Sequence, residues 1–414
     1  MMFTFDIAPA ELFDERSRQF AAWGIPARTV ARARAGITDM WGTGPRGWVP
    51  VWARLAQEAE AAGEWLSAAQ IWGAARFPAL ATPERHEAYE RQRAAYARVI
   101  AGRRLPVLPS CPKAMEGPRI ARGTVELRLA GGMVSLPVHL MARRRRRRPG
   151  VLVLSGGVDT WKVELHRMAV ATALATGLLV VSVDMPGTGE APGPLTPDGD
   201  LLLSALVGEI RRWRPGEPVA YLGLSFGGHW AVKLALRGVV DAAVDIGGPT
   251  GAGEPEEPID VLALPYGMPG ILGNALGLAA LPEAAETDGM LAAFSLRRQG
   301  LLDHRVDDVE DADDAGDVHN CVPLLAVNGA HDQFIPRGDT ARLAALRNTT
   351  VWIVPGATHC AAEHIRPLLA ATWAWLLTRP PFRRHPAVRA DPHLWARDRD
   401  GRGSTSRSSL SGRR

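Results

Sequence analysis

Val219–Gly228 reads VAYLGLSFGG. Its first six residues are apolar or small and suit a short, fully buried strand. They run into Gly223-Leu224-Ser225-Phe226-Gly227, a G-x-S-x-G turn, and a helix-like run begins near His229. A serine on such a strand-to-helix turn sits in a strained backbone that presents its hydroxyl, and the flanking glycines let neighbouring strands and substrate approach. The helix behind it contributes partial positive charge and free backbone N–H groups. The five-residue pattern alone discriminates little in a glycine-rich chain. The strand before it, the helix after it and its partners elsewhere give it weight.

On either side the chain repeats one rhythm. Apolar runs Val151–Leu154, Leu178–Asp184, Ala242–Ile246, Leu324–Asn328 and Val351–Val354 alternate with helix-like stretches. Those stretches are Val163–Ala175, Leu201–Trp213, His229–Arg237, Thr340–Leu346 and Ile365–Leu377. Short buried strands separated by helices predict a mostly parallel, doubly wound α/β sheet. Upstream, Thr124–Leu129 and Val134–Met141 flank Gly131-Gly132 and suit an antiparallel hairpin, with Pro137 placing the second run at an edge. Between Gly247 and Val318 the rhythm fails, and so long an interruption reads as an inserted lid at about 248–318.

The N-terminal quarter differs in kind. Trp52, Leu55, Ala56 and Ala59 recur at helical spacing, as do Trp65, Ala68, Ala69 and Trp72. Pro50 and Pro83 suit first helical turns, and Gly63 separates two segments. The predicted organisation is a helical N-terminal cap domain over 1–104, a proline-rich linker over 105–123, a catalytic domain over 124–378 and a basic, disordered tail over 379–414.

A serine needs a general base within hydrogen-bond reach to act as a nucleophile at neutral pH. Asp332 lies in LLAVNGAHDQFIP (Leu324–Pro336) and His359 in VPGATH (Val354–His359), each just past an apolar strand. The chain order Ser, Asp, His is that of the α/β-hydrolase architecture. Strand carboxyl ends are also where open α/β sheets bind ligands. Ser225 is therefore the expected nucleophile, His359 the base and Asp332 the residue that fixes the imidazole. His331 and His364 read as surface or helix-start histidines. The oxyanion requires N–H donors, expected from Phe226 and from Gly157 or Val158 in the loop Ser155–Asp159. Asp184, followed by Pro-Gly-Thr-Gly, reads as a turn-bracing carboxylate, and Asp159 and Lys162 as a pair that braces the glycine loop.

With these motifs together, VLVLSGGVDTWKVE (Val151–Glu164), VDMPGTGE (Val183–Glu190), the serine elbow and the Asp332 and His359 segments resemble the FrsA-like esterase group. That group includes 2,6-dihydropseudooxynicotine hydrolase and fungal polyketide-shortening hydrolases. The resemblance runs from near Trp48 to Leu377. It implies a cofactor-free hydrolase cleaving an ester, or a C–C bond next to a ketone, in a small or medium-sized carbonyl substrate enclosed by helices and lid. It further implies a homodimer. Glu254, Glu256 and Glu257 lie where some members of the group carry a lid carboxylate that assists ketone substrates; a solvated acidic loop is the preferred reading there, with Glu256 and Trp161 taken as candidate substrate contacts. The run Arg143–Arg148 and the basic tail depart from the group's pattern.

Composition narrows the alternatives. Hydrophobic residues at 46% and charged residues at 22% are ordinary for a globular protein. The net charge of +4 is misleading, because ten arginines against three aspartates in 379–414 outweigh it and leave the body acidic. The six arginines of 143–148 lie in one loop without interleaved aromatics, so a solvated connection is preferred to nucleic-acid binding. The acidic run Asp303–Asp317 lacks the pattern of a calcium loop. Cys111, Cys321 and Cys360 show neither a disulfide framework nor metal-ligand spacing, and Cys360 reads as a small buried hydrophobe. No apolar run suits a membrane span and the N-terminus lacks the layout of a signal peptide, so a cytoplasmic enzyme is expected. Acyl transfer through the same acyl-enzyme, and a non-catalytic binding protein on the same fold, are the alternative functions.

Overall fold

The computed structural model describes residues 3–101, 119–143, 148–281, 291–302 and 322–383. The segments 144–147, 303–321 and 384–414, which carry most of the arginine run, the acidic run and nearly all of the tail, lie outside these described residues.

Eight strands form one sheet: β1 (Arg119–Leu129), β2 (Gly132–Ala142), β3 (Val151–Ser155), β4 (Leu179–Val183), β5 (Val219–Leu224), β6 (Ala242–Ile246), β7 (Leu324–Gly329) and β8 (Thr349–Val354). Their spatial order is β1-β2-β4-β3-β5-β6-β7-β8. The β1–β2 and β2–β4 pairs are antiparallel and the remaining pairs parallel. Every residue of β3, β4, β6 and β7 is buried. Covered on both faces, these strands have no reason to alternate apolar with polar residues, which is why they read as continuous apolar runs.

The hairpin differs from expectation in two respects. β1 begins at Arg119, inside the segment expected to be linker. β1 is also the edge strand, and β2, which carries Pro137, is interior. Pro137 is tolerated there because β2 pairs with β4 only over His139–Met141, leaving Pro137 outside that ladder.

Five helices precede the sheet: α1 (Pro9–Trp23), α2 (Ala27–Gly36), α3 (Trp48–Ala61), α4 (Trp65–Arg76) and α5 (Pro83–Ala101). Phe13, Phe20, Trp48, Trp52 and Phe77 interlock with ring centroids 5.0–6.4 Å apart. This aromatic core is continuous with the apolar residues on one face of the sheet. The junction is also polar and dry. Arg76 of α4 and Glu164 are both fully buried and 2.8 Å apart, and Gln70 Nε2 donates to the Val163 carbonyl at 3.1 Å. The helices are thereby fixed to the segment that follows β3.

Helices α6 (His166–Thr176), α7 (Asp200–Trp213) and α8 (Phe226–Leu236) alternate with the strands. The described part of the interruption after β6 contains α9 (Met268–Ala275). The N-terminal segment crosses this helix, with the amide side chain of Asn274 bonded to both the N–H and the carbonyl of Phe3. After β7 come a short helix over Arg337–Ala341 and a 3-10 turn over Arg342–Ala345, where a single helix over Thr340–Leu346 was expected. The chain is completed by β8 and a final helix over Ile365–Thr378. Among the described residues, no helix is long and apolar enough to cross a membrane.

Candidate active site

Ser225 joins β5 to α8 with φ 52° and ψ −130°, a conformation costly for a residue with a side chain. Its N–H donates to the Ile246 carbonyl at 2.8 Å, and its own carbonyl accepts from Gly228 N–H at 2.7 Å. The turn is complete within Ser225, so α8 starts at Phe226, three residues earlier than the sequence suggested. The glycines serve close approach. A Cβ on Gly223 would lie 1.9 Å from the Gly227 carbonyl oxygen, and one on Gly227 2.4 Å from that of Gly156.

His359 follows β8. Its Nε2 lies 2.9 Å from Ser225 Oγ and its Nδ1 2.7 Å from Asp332 Oδ2. The second oxygen of Asp332 accepts the N–H groups of Phe334 at 2.7 Å and Ile335 at 3.1 Å. With both oxygens occupied, the carboxylate cannot rotate away, and Nδ1 is fixed as the donor that leaves Nε2 to accept from the serine hydroxyl. Asn328, at the end of β7, accepts from Cys360 N–H at 3.2 Å and tethers the histidine loop. Phe334 meets the His359 ring edge-on at 4.9 Å.

Burial opposes charge on Asp332, yet the His359 ring, the Phe334 N–H and the Asn328 side chain outweigh it and hold its pKa below the ordinary carboxylate value. For His359, burial disfavours the imidazolium, while the Cys360 side chain and the Asp332 carboxylate favour it; the pKa is raised well above the ordinary imidazole value. Below the elbow, Asp245 of β6 is fully buried, and burial raises its pKa well above the ordinary value despite a bond from Gly248 N–H.

The structure brings three of the expected residues, Ser225, Asp332 and His359, into one hydrogen-bonded array. Gly157 joins them: a Cβ there would stand 2.7 Å from Ser225 Cβ and 2.9 Å from its Oγ. Phe226 is the first residue of α8, so its N–H belongs to the turn that lacks intrahelical acceptors. Val158, next to Gly157, is buried, and its carbonyl accepts from Trp161 Nε1 at 3.2 Å. Trp161 itself is packed against the helices, with the Arg76 guanidinium 3.4 Å from its ring centroid and Tyr89 edge-on at 4.9 Å.

Other candidates lie elsewhere. Glu256 is 63% exposed and ion-paired with Arg342 at 2.7 Å, outside the array, and Glu254 pairs with Arg298 at 2.6 Å. His331 and His364 are exposed. Asp159 and Lys162 do not pair with each other. Lys162 bonds Asp184 and Glu190, whereas Asp159 meets Arg16 at 3.2 Å. The reason is the parallel β3–β4 pairing, which sets the loop after β3 beside Asp184 at the end of β4. Glu15 and Arg16 of α1, beside Asp159, and the buried Asp245 were not expected at the site. No spacing motif marks them, and only the tertiary packing of α1 and β6 brings them there.

A nucleophile elbow in a parallel sheet, with an ordered carboxylate after β7 and a histidine after β8, defines the α/β-hydrolase class. Residues 151–371 match the alpha/beta hydrolase family, and the chain belongs to it. It is similar to Esterase FrsA of Photobacterium profundum, 29% identical over 191 residues, 45% of this chain and 45% of that protein. It is also similar to the alpha/beta hydrolase ucsC of Acremonium sp, 32% identical over 128 residues, 27% of this chain and 25% of that one. The chain thus spans less than half the length of these curated relatives. Among solved structures, AbyA5 matches with a TM-score of 0.69 at 25% identity, covering 89% of this chain and 93% of that one. The 2,6-dihydroxy-pseudo-oxynicotine hydrolase matches with a TM-score of 0.60 at 20% identity, covering 87% and 94%. These likenesses agree with the resemblance read from the motifs.

Proposed function

We propose that the chain is a cofactor-free serine hydrolase that forms an acyl-enzyme at Ser225. The observation that carries this reading is the continuous pair of contacts, Ser225 Oγ to His359 Nε2 at 2.9 Å and His359 Nδ1 to Asp332 Oδ2 at 2.7 Å. Ser225 Oγ attacks the substrate carbonyl carbon while its proton passes to His359 Nε2, and Asp332 stabilises the resulting imidazolium. The N–H of Phe226 and that of Gly157 or Val158 receive the oxyanion. Collapse expels the leaving group, which takes the proton from His359. Water, deprotonated by the same nitrogen, then releases the acid and regenerates Ser225.

The same sequence of steps cleaves an ester, whose leaving group is an alcohol, or a C–C bond beside a ketone, whose leaving carbanion is delocalised as an enolate. A small or medium-sized carbonyl compound, polyketide-like in the C–C case, is the substrate we propose. The names of the FrsA, ucsC and pseudo-oxynicotine relatives support hydrolysis of this general kind.

A fluorophosphonate probe tests the reading directly. Wild-type protein should be labelled at Ser225 and the Ser225→Ala variant should not; equal labelling of both, or none of the wild type, would refute it. Turnover of p-nitrophenyl esters against β-diketones, with products identified by mass, then decides which bond is broken.

A further inference from the structure

Helix α1 brings two charged side chains over the array. Arg16 and Asp159 are each 5% exposed. Arg16 Nε lies 2.5 Å from Glu15 Oε2, and Arg16 Nη2 lies 3.2 Å from Asp159 Oδ2. Both are ion pairs, and neighbouring groups add hydrogen bonds: Arg16 Nη1 donates to Gln19 Oε1 at 3.2 Å, and Asp159 Oδ1 accepts from Gln19 Nε2 at 3.3 Å and Thr160 Oγ1 at 3.1 Å. Gln333 Nε2 approaches Glu15 Oε1 at 3.5 Å, and Gln333 Oε1 is buried with no hydrogen-bond partner among the described residues.

The position of this cluster relates it to the reaction. Asp159 is two residues from Gly157, which abuts Ser225. The Arg16 guanidinium lies 5.5 Å from the centroid of Phe334, whose ring contacts His359. Gln333 directly follows Asp332. The cluster therefore spans the gap between the glycine loop and the histidine partner, on the side covered by the N-terminal helices. Burial raises the pKa of Glu15, and Arg16, Asp159 and His359 are the charges it feels.

Two carboxylates against one guanidinium leave a formal surplus of negative charge in a nearly dry place, and Gln333 Oε1 is an acceptor with no hydrogen-bond partner among the described residues. A cluster that merely docked α1 would align its donors with its acceptors, because an unsatisfied buried acceptor costs about 1–3 kcal/mol. We infer that Glu15 and Gln333 form a subsite for a hydrogen-bond donor, a hydroxyl or ammonium group, carried by the substrate away from its reacting carbonyl. The inference rests on the hydrolase reading and adds a recognition element to it. The surplus negative charge favours ammonium over hydroxyl.

The test uses three p-nitrophenyl esters of one chain length, ending in methyl, hydroxyl or ammonium, with the full-length protein. Wild type should favour hydroxyl and ammonium over methyl by about tenfold or more in kcat/KM. Glu15→Gln should remove most of the ammonium advantage, and Gln333→Met, which keeps the side-chain volume, should reduce the hydroxyl advantage. Methyl-ester turnover and fluorophosphonate labelling of Ser225 report whether each variant keeps a working array. Equal kcat/KM for the three esters in labelled wild type would overturn the subsite and leave the hydrolase reading standing. So would donor preferences that persist in both variants. Failure of wild type to label would overturn the hydrolase reading itself.

Discussion

Gly157 stands so close to Ser225 that a Cβ on it would lie 2.7 Å from the serine's own Cβ. Real side chains do not approach this closely, so Gly157→Ala must displace either the glycine loop or the nucleophile. The fold, built on strands that the loop merely connects, should survive. Displacement by an ångström of a reacting group costs about 10²-fold in rate. We expect Gly157→Ala to lower kcat/KM by about that factor and to slow fluorophosphonate labelling in parallel, with far-ultraviolet circular dichroism unchanged. Full activity in this variant would place the glycine loop outside the site.

Asp332 occupies both of its oxygens, one on His359 Nδ1 and one on backbone N–H groups. Asp332→Asn keeps the shape but lets the amide donate to Nδ1, so the wrong imidazole nitrogen faces Ser225. A kcat loss of about 10³–10⁴-fold is expected. The pH profile gives an independent reading. In the proposed mechanism His359 must be neutral to take the proton, so activity should rise with pH through its pKa. With that pKa raised, the acidic limb of the wild-type profile should lie above the ordinary imidazole value. Removing the carboxylate should move the limb to lower pH. A wild-type limb below the ordinary value, or one that stays put in Asp332→Asn, would contradict the coupling.

The elbow is legible in the sequence because its demands are local: a buried strand, a residue able to turn it and glycines where backbones touch. Asp332 and His359 are legible for a related reason, since strand ends can be read from apolar runs. The surroundings are not. Lys162 lies three residues from Asp159, yet its partner is Asp184, because strand pairing sets neighbours that sequence distance does not. Glu256 resembles a lid carboxylate by position, but Arg342, 86 residues away, holds it at the surface. Glu15 and Arg16 sit on an amphipathic helix like many others, and only the packing of α1 over residues 159 and 333 gives them a role. Local chemistry is written in the sequence, and long-range packing decides which polar residues face the reacting atoms.

The Arg76–Glu164 pair is a second case of packing that sequence does not reveal. Glu164 accepts from Arg76, Gln92 and the Trp161 N–H, and Arg76 also reaches the Asp159 carbonyl at 3.1 Å. The pair thus joins α4 and α5 to the loop that leads from Gly157. Replacing one member of a buried pair strands the other's charge, at a cost of about 3–5 kcal/mol. Glu164→Gln should therefore lower Tm by roughly 5 °C for a protein of this size. Activity measured well below Tm should fall as well, because the loop loses its anchor. A Tm shift near zero would mean that Arg76 finds another partner or water.

The last relationship runs from the N-terminus to the histidine. Phe5 is 6% exposed and meets the Trp41 ring edge-on at 5.1 Å, while Trp41 Nε1 donates to the Phe5 carbonyl at 2.7 Å. Its ring lies over α9, where a Cβ on Gly270 would come within 2.1 Å of it. Just before α9, Tyr266 and Gly267 take φ values of 60° and 66°, and the Tyr266 ring lies 6.1 Å from Phe334, itself against His359. The N-terminal segment thus clamps the helix that follows Tyr266, whose ring packs on the phenylalanine that contacts His359. Truncating a buried phenylalanine costs about 3–5 kcal/mol, and here the loss falls on the contact that holds α9 in place. Phe5→Ala should increase hydrogen exchange across Met268–Ala275 and raise KM more than it lowers kcat, since the array itself is untouched. Unchanged exchange in α9, with Tm alone reduced, would show that Phe5 stabilises the helical region without governing the lid.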